Sequence, residues 1–200
     1  NDNPLFETEA GRAHSGGNFS GFHVGMTMDS LKIAVASVVD QLDRQFALLV
    51  DERFSNGLPA NLSPIRSEDD PEHGIHHGFK GVQLTMSALA GEAQQRAMPM
   101  TVFSRSTVWH NQDKVSMATT AARQARDLVE MAERCAAMHL LACCQAADLR
   151  GAGLLGRTRS AYERIREVSE PVDHDRELQT DIARVHELIR SGALLEGLDS

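Results

Sequence analysis

The chain has 200 residues and a formal net charge of −8, from 20 Lys and Arg against 28 Asp and Glu. This length can bury the core of one domain, and the lack of a dense basic stripe argues against nucleic acid and anionic membranes as partners. The three cysteines show no CxxC spacing, which is typical of a reducing compartment such as the cytoplasm. We expect neither a signal peptide nor a membrane span, because no apolar run reaches the about 18 residues that a bilayer requires.

The first half of the chain is predicted to hold two helices between loops. Residues 1–22 are rich in Gly, Asn and Ser, which predicts a loop. In 23–49 the apolar residues recur at steps of three and four, which predicts a helix. Turn residues dominate 56–78, and a second helical pattern covers 81–97 before Pro99 stops it.

The dominant predicted element is an Ala-rich helix over 113–149, ended by Gly151 and Gly153. At about 1.5 Å per residue it would be roughly 55 Å long, longer than a compact domain of this size is wide. We therefore expect it to run through a large bundle or to pack against other chains. Two shorter helices follow over 158–168 and 173–191. With no alternating pattern typical of strands, the predicted fold class is all-α, a bundle of long helices.

A glycine-rich block near the start is the first candidate functional feature. It runs from Gly16 to Gly21 and contains Asn18 and Phe19. Paired glycines let the backbone come close to a ligand, to which Asn18 would hydrogen-bond and Phe19 would offer an aromatic face. The same residues would also serve as a flexible entry to the first helix.

A polar block from His110 to Met117 is the second candidate, directly before the long helix. Helix N-termini present backbone N–H donors, so Asn111, Gln112 and Asp113 would add polar side chains where those donors point. Asp113 is also a good helix cap by residue type, and capping is the reading that periodicity alone favours. The same segment can cap the helix and also line a binding site.

The remaining notable side chains suggest no further chemistry. His73, His76 and His77 share a loop without a carboxylate pattern or HExxH motif, so we predict solvated histidines and no metal site. His139 lies within the apolar stripe of the long helix and is expected to be an interior histidine with its hydrogen bonds satisfied. Trp109 is expected to serve packing rather than function.

At this point the sequence resembles a known family, the aromatic amino acid ammonia-lyases and 2,3-aminomutases that use a methylideneimidazolone (MIO) electrophile. Six segments carry the resemblance, in the order found in that family. They are Asn1-Asp2-Asn3-Pro4-Leu5, Gly16 to Gly21, Leu48-Leu49-Val50-Asp51 with Gly57-Leu58-Pro59, Gly78-Phe79-Lys80-Gly81-Val82-Gln83, His110 to Met117, and Gln145-Ala146-Ala147-Asp148-Leu149-Arg150.

The resemblance implies a long-helix bundle of the L-aspartase/fumarase type. Residues 1–150 would be the C-terminal part of its catalytic domain, and 151–200 a helical appendage of the same domain. In that family four subunits form a homotetramer, and each active site takes residues from several chains. The substrate would be an aromatic amino acid whose amine adds to the electrophile and becomes a better leaving group, while a base removes the β-proton in a dry pocket.

The resemblance also assigns roles to the site residues. Asn3 would contact the substrate carboxylate or position the electrophile, and Phe19 would pack against the electrophile or the aromatic ring. Gln112 and Asn111 would line the pocket. Histidine ammonia-lyases typically carry an acidic residue at the position of Gln112, so the neutral amide favours phenylalanine or tyrosine, with histidine as the alternative. Plant phenylalanine ammonia-lyases usually carry glutamate where Val108 stands, which leaves lyase and aminomutase both open.

One departure from the family pattern matters most. MIO forms from an internal Ala-Ser-Gly, and this sequence contains no such tripeptide. The family's catalytic tyrosine and carboxylate-binding arginine would also precede Asn1, and Tyr162, the sole tyrosine, lies in another region. We therefore expect the chain alone to be inactive and to require an N-terminal part, fused or supplied as a partner. A non-catalytic helical scaffold or assembly subunit is the rival hypothesis.

Overall fold

The structure, a computed structural model, describes residues 2–17, 19–64, 68–151 and 156–196. Helices make up most of this part, so the all-α prediction is confirmed. The helices are α1 Phe22–Val50, α2 Lys80–Arg96, α3 Ala118–Arg150, α4 Arg159–Val168 and α5 Gln179–Arg190, and the strands are β1 Leu5–Glu7 and β2 Arg12–His14.

The predicted loop over 1–22 contains a short β-hairpin, so that prediction was wrong in part. Strands β1 and β2 pair antiparallel, with Leu5 opposite His14 and Glu7 opposite Arg12. Each strand has three residues, all exposed, so neither shows the alternation of apolar and polar residues that reveals a strand in sequence. Gly11 makes the turn possible with a left-handed φ of 61°.

Helix α1 agrees with the predicted helix to within one residue at each end. It also corrects the expectation about membrane spans. An 18-residue window of α1 reaches a mean hydropathy of 1.2, long and apolar enough by composition to cross a bilayer. Core helices of soluble proteins pass the same test, and α1 also carries Asp29 and Lys32, both buried within the protein.

Helix α3 begins at Ala118, five residues later than predicted. Asp113 therefore does not cap it, which corrects the capping prediction. The side-chain acceptor near its start is Ser116, two residues before the helix, whose Oγ accepts the N–H of Ala118 at 3.3 Å. Its 33 residues give a helix roughly 50 Å long. The predicted end is confirmed at Gly151, where φ is 77°, whereas Gly153 lies outside the described residues.

The chain forms two compact units. The first comprises residues 1–35 and 96–129, and its buried side chains come from α1 and the first third of α3. The second comprises 36–95 and 130–200, with a core that includes Phe46, Phe79 and Met138. The division into 1–150 and 151–200 stays a prediction.

Helix α5 starts at Gln179 rather than near Asp173. The segment before it is bound to α3 instead of being helical. Gln145 accepts the N–H of Val172 and donates to its carbonyl, both at 2.9 Å. Arg176 then pairs with Asp181 at 2.7 Å. The Gln145 contacts satisfy both backbone groups of Val172 without a helical turn.

One prediction about the interior was wrong. Nδ1 of His139 is buried and has no hydrogen-bond partner among the described residues. Its ring lies 6.2 Å from that of Phe46 in a tilted arrangement, and burial lowers the pKa of His139. His139 is therefore an interior neutral imidazole with one unpaired nitrogen.

Candidate functional site

A cavity of about 540 Å³ in the first unit brings the two candidate blocks together. Phe19 and Ser20 form one part of its wall, and the polar block with the first residues of α3 forms the rest. Phe19, Asn111 and Gln112 therefore face one shared space, although more than ninety positions in the chain separate Phe19 from Gln112. Among the described residues, the wall consists of Phe19, Ser20 and residues 111–120.

The N-terminus of α3 contributes backbone polarity to this cavity. Ala118, Thr119 and Thr120, its first three residues, all line the wall. The first N–H groups of a helix lack intrahelical acceptors, and the helix dipole makes this end partially positive. Lys114 adds a cationic side chain to the same wall. The helix N-terminus and Lys114 thus offer donors for a ligand carboxylate, while Asp113 places one negative charge on the same wall.

Gln112 is held by the backbone and through its side chain. Thr107 and Gln112 form an isolated antiparallel bridge, with N···O distances of 2.8 and 3.2 Å. The Thr107 hydroxyl also donates to Oε1 of Gln112 at 3.3 Å. This contact orients the amide, whose nitrogen is the group that can donate to a ligand.

The turn between these two residues is strained. Val108, Trp109 and His110 have φ values of 53°, 53° and 68°, all left-handed. Such a conformation is uncommon outside glycine and a genuine outlier for a β-branched valine. Trp109 at the turn is 100% exposed, so the expectation that it serves packing is wrong for this chain. Strain of this kind is concentrated at functional sites.

Helix α1 touches the backbone that precedes α3. A β-carbon on Gly25 would lie 3.1 Å from the carbonyl oxygen of Ser116 and 3.0 Å from Cγ2 of Thr101. Contacts this short are tighter than ordinary packing, so a side chain here would require the neighbouring atoms to move by a few tenths of an ångström. The absence of a side chain at Gly25 thus allows the polar block to pack directly on α1.

A buried ion pair fixes the segment that leads into the polar block. Lys32 is fully buried, and its Nζ lies 3.0 Å from Asp29 and donates to the carbonyl of Met98 at 2.7 Å. Asp29 in turn accepts the N–H groups of Met100 and Thr101, both at 2.9 Å. Burial opposes the charge of Asp29, but these hydrogen bonds and Lys32 lower its pKa to about 2.

The other predicted site residues stand elsewhere or cannot be placed. Oδ1 of Asn3 accepts the N–H of Gly16 at 2.9 Å, which ties the start of the chain to the glycine-rich block. Asn3 is not part of the cavity wall. Asn18 lies outside the described residues. The roles of Asn3, Asn18, Phe19, Asn111 and Gln112 stay predictions.

Several wall residues were not singled out by the sequence. They are Ser20, Lys114, Ser116, Thr119 and Thr120. They could have been predicted from their position within or beside the two motifs, because residues next to a pocket residue in the chain often line the same pocket.

A second cavity of about 580 Å³ lies in the second unit and offers different surroundings. Its lining is almost entirely apolar and includes Cys143, Cys144 and Tyr162. Burial raises the pKa of Cys144 to about 12, so this thiol is not a nucleophile at neutral pH. The hydroxyl of Tyr162 donates to Asp148, which raises the pKa of Tyr162. We find no convergent set of reactive groups among these described residues.

Comparison with known proteins places the chain in a family. Residues 1–167 match the aromatic amino acid lyases. Histidine ammonia-lyase of Gloeobacter violaceus is 37% identical over 200 residues, which are 100% of this chain and 38% of that protein. Phenylalanine aminomutase (L-beta-phenylalanine forming) of Taxus chinensis is 41% identical over 150 residues, 75% of this chain and 21% of that protein.

A solved structure agrees with these relatives. Tyrosine aminomutase from Streptomyces globisporus matches with a TM-score of 0.88 and 31% identity, covering 100% of this chain and 37% of that one. The chain therefore belongs to the aromatic amino acid lyase family, as its motifs predicted. It spans 38% of the length of the Gloeobacter relative. The relatives' names cover two reactions, ammonia-lyase and aminomutase, and three amino acids.

Proposed function

We propose that this chain forms one wall of the active site of an ammonia-lyase or 2,3-aminomutase that acts on phenylalanine or tyrosine. The observation that carries the proposal is the single cavity shared by Phe19, Asn111 and Gln112 at the N-terminus of α3. Membership in a family of carbon–nitrogen lyases supports the reaction class.

Each part of the wall has a role in this proposal. The Phe19 ring packs against the aromatic ring of the substrate or against the electrophile. The amide nitrogen of Gln112 donates a hydrogen bond to a group that gains negative charge as the β-proton leaves. The N–H groups of Thr119 and Thr120 and the ammonium of Lys114 bind the substrate carboxylate.

An MIO group, when bound, supplies the electrophile that takes up the substrate amine. This chain has no Ala-Ser-Gly from which the group could form, so we propose that an N-terminal part of the enzyme, fused or supplied as a partner, carries it. The described cavity wall fits an MIO group, because it contains both the apolar ring of Phe19 and the oriented amide of Gln112. The chain alone is accordingly inactive.

The substrate preference rests on Gln112. A neutral amide suits the uncharged ring of phenylalanine or tyrosine, whereas an acidic side chain would suit an imidazole. Histidine is the second candidate, because the Gloeobacter histidine ammonia-lyase is 37% identical over the whole chain.

Assembly as a homotetramer is part of the proposal, supported by the length of α3. Cytoplasmic location is also proposed, and the three cysteines, all free thiols, are consistent with it.

The test uses the protein expressed from the natural reading frame that contains this chain. It is incubated with phenylalanine, tyrosine and histidine; the absorbance of cinnamate, coumarate and urocanate is followed, and β-amino acids are separated by chromatography. Formation of cinnamate, coumarate or the β-amino acid of phenylalanine or tyrosine supports the proposal, and urocanate alone supports the histidine alternative. No turnover of any of the three, in a folded protein, favours the scaffold hypothesis. The 200-residue chain assayed by itself should give none.

A further inference from the structure

Three side chains in the second unit lie close together and have no role in the proposed function. Nε2 of His76 lies 3.0 Å from Oε2 of Glu72, and Nε2 of His174 lies 3.2 Å from the same oxygen. All three donor atoms lie within 4.8 Å of one another. The expectation that the loop histidines are simply solvated is thus wrong for His76, whose side chain is only 12% exposed.

We propose that Glu72, His76 and His174 bind a divalent cation of the Zn²⁺ type. Two imidazole nitrogens and one carboxylate oxygen are a ligand set that Zn²⁺ accepts, with a water completing four-coordination. Imidazole donors select Zn²⁺, Co²⁺ or Ni²⁺ over Mg²⁺ and Ca²⁺, which prefer oxygen ligands. Glu72 and His76 are four residues apart, and His174 joins them from about a hundred residues further along the chain.

The distances are close to those of a filled site. Bonds of about 2.0–2.2 Å to nitrogen and oxygen in a tetrahedron place the ligand atoms roughly 3.3–3.5 Å apart. The two nitrogens now lie 3.0 and 3.2 Å from the Glu72 oxygen. Moving the ligands apart by a few tenths of an ångström would admit the ion. The imidazole rings stand at 84° with centroids 5.3 Å apart, so they do not stack across the gap.

Carboxylates also lie behind both histidines. Oδ2 of Asp173 is 3.4 Å from Nδ1 of His174, and Oδ1 of Asp175 is 3.9 Å from Nδ1 of His76. A metal-bound histidine usually donates its other N–H to a carboxylate, which orients the ring and strengthens the ligand. The Asp175 carboxylate is itself held by the N–H groups of His77 and Gly78 at 2.8 and 2.9 Å.

Loading the site changes the tautomer of His76. Its Nδ1 now accepts the backbone N–H of Asp175 at 3.1 Å, so in the neutral ring Nε2 carries the proton and donates it to Glu72. A cation at Nε2 takes the place of that proton, which moves to Nδ1. There the Asp175 carboxylate becomes its acceptor after a small rotation of the ring.

The bound ion would join two segments of the second unit. Glu72 and His76 belong to the loop before α2, and His174 belongs to the segment before α5. The side chain of His174 is 56% exposed, which leaves the ion open to solvent on that side and gives it a path of entry. Metal binding would therefore stabilise the contact between these two segments.

The test is titration with Co²⁺, followed by visible absorption, and with Zn²⁺, followed by calorimetry, in the protein expressed from its natural reading frame. We expect one equivalent of Co²⁺ to give the absorption bands of four-coordinate cobalt. His174→Ala should weaken the affinity at least tenfold and remove those bands. Since His174 is largely exposed, its replacement should leave the far-ultraviolet circular dichroism unchanged.

His23→Ala is the control. His23 is an exposed histidine of helix α1 and belongs to the first unit, whereas the three proposed ligands belong to the second. This variant should bind Co²⁺ as the unmodified protein does. Glu72→Gln, which keeps the shape but removes the charge, should again weaken binding. Equal affinity in the unmodified protein and in His174→Ala, or no saturable binding up to millimolar metal, would overturn the proposal.

Discussion

The carbonyl oxygen of Ser116 lies 3.1 Å from the place where a β-carbon on Gly25 would stand. Helix α1 and the backbone that enters α3 are thus in direct contact at the cavity wall. This contact depends on one missing side chain in the first turn of α1, which begins at Phe22, and glycine within a helix is unfavourable by up to about 1 kcal/mol relative to alanine. The cost suggests that the close approach is itself required.

Replacing Gly25 by alanine should therefore displace the start of α3. We expect a loss of about 1–3 kcal/mol in the free energy of unfolding, because overpacking outweighs the gain in helix propensity. Urea unfolding at neutral pH measures this change. Turnover by the complete enzyme should fall as well, since the wall residues would shift with the helix.

Gly91→Ala provides the matched control. Gly91 also lies within a helix, α2, but a β-carbon there would meet no atom within 4 Å. This variant should be unchanged or more stable by up to about 1 kcal/mol. If Gly25→Ala is stabilised like Gly91→Ala, the two backbones are not in close contact.

Gln112→Ala should lower turnover with little effect on folding. The variant loses the oriented amide that Thr107 holds in the cavity wall. Loss of one such hydrogen-bond donor typically costs about 10²–10³ in kcat, and we expect an effect at or below this range. Gln95→Ala, at an exposed position of α2, is the control and should keep the full rate. An unchanged kcat in the folded Gln112→Ala enzyme would exclude the pocket role.

The stability of the first unit should depend on pH through Asp29. Its pKa is about 2 in the folded chain against an ordinary value of 3.8. A lowered pKa in the folded state stabilises it above the ordinary pKa, and this contribution is lost as the pH falls toward 2. We expect about 2 kcal/mol to disappear between pH 5 and pH 2, measurable as a falling urea midpoint.

Asp29→Asn separates this effect from general acid sensitivity. The variant should lose about 3–5 kcal/mol at neutral pH, because it leaves Lys32 buried without its charge partner. Its remaining stability should also depend less on pH than that of the unmodified protein. Asp69→Asn, in an exposed loop, should alter neither quantity. A pH profile of Asp29→Asn parallel to that of the original protein would contradict the assignment.

The helices were predictable because their apolar residues repeat at the helical period, and α1 and α2 agree closely with the sequence-based bounds. The start of α3 was not. Val115 fits the helical period, but Met117 adopts a left-handed φ of 55°, which no periodic pattern reveals. The residues at this start also pack closely on Gly25 of α1, a tertiary contact that local propensity does not encode.

The candidate functional residues likewise include some that the sequence could reveal and some that it could not. The two motifs around Phe19 and Gln112 could be found in the sequence, because each combines turn residues with polar or aromatic side chains. The proximity of His76 and His174 could not be predicted from the sequence. These residues lie about a hundred positions apart without a recognisable spacing, and only the folded second unit brings them to Glu72.

Gln145 offers a last test, of how the segment before α5 is held. Its side chain is buried, accepts the N–H of Val172 and donates to its carbonyl, both at 2.9 Å. Gln145→Ala would leave both backbone groups buried without these partners, at about 1–3 kcal/mol each. We expect the variant to be less stable by about 2–4 kcal/mol and the amide of Val172 to exchange its hydrogen faster. Gln179→Ala, at the exposed start of α5, should change neither, whereas undiminished protection of Val172 in Gln145→Ala would show that other contacts hold the segment.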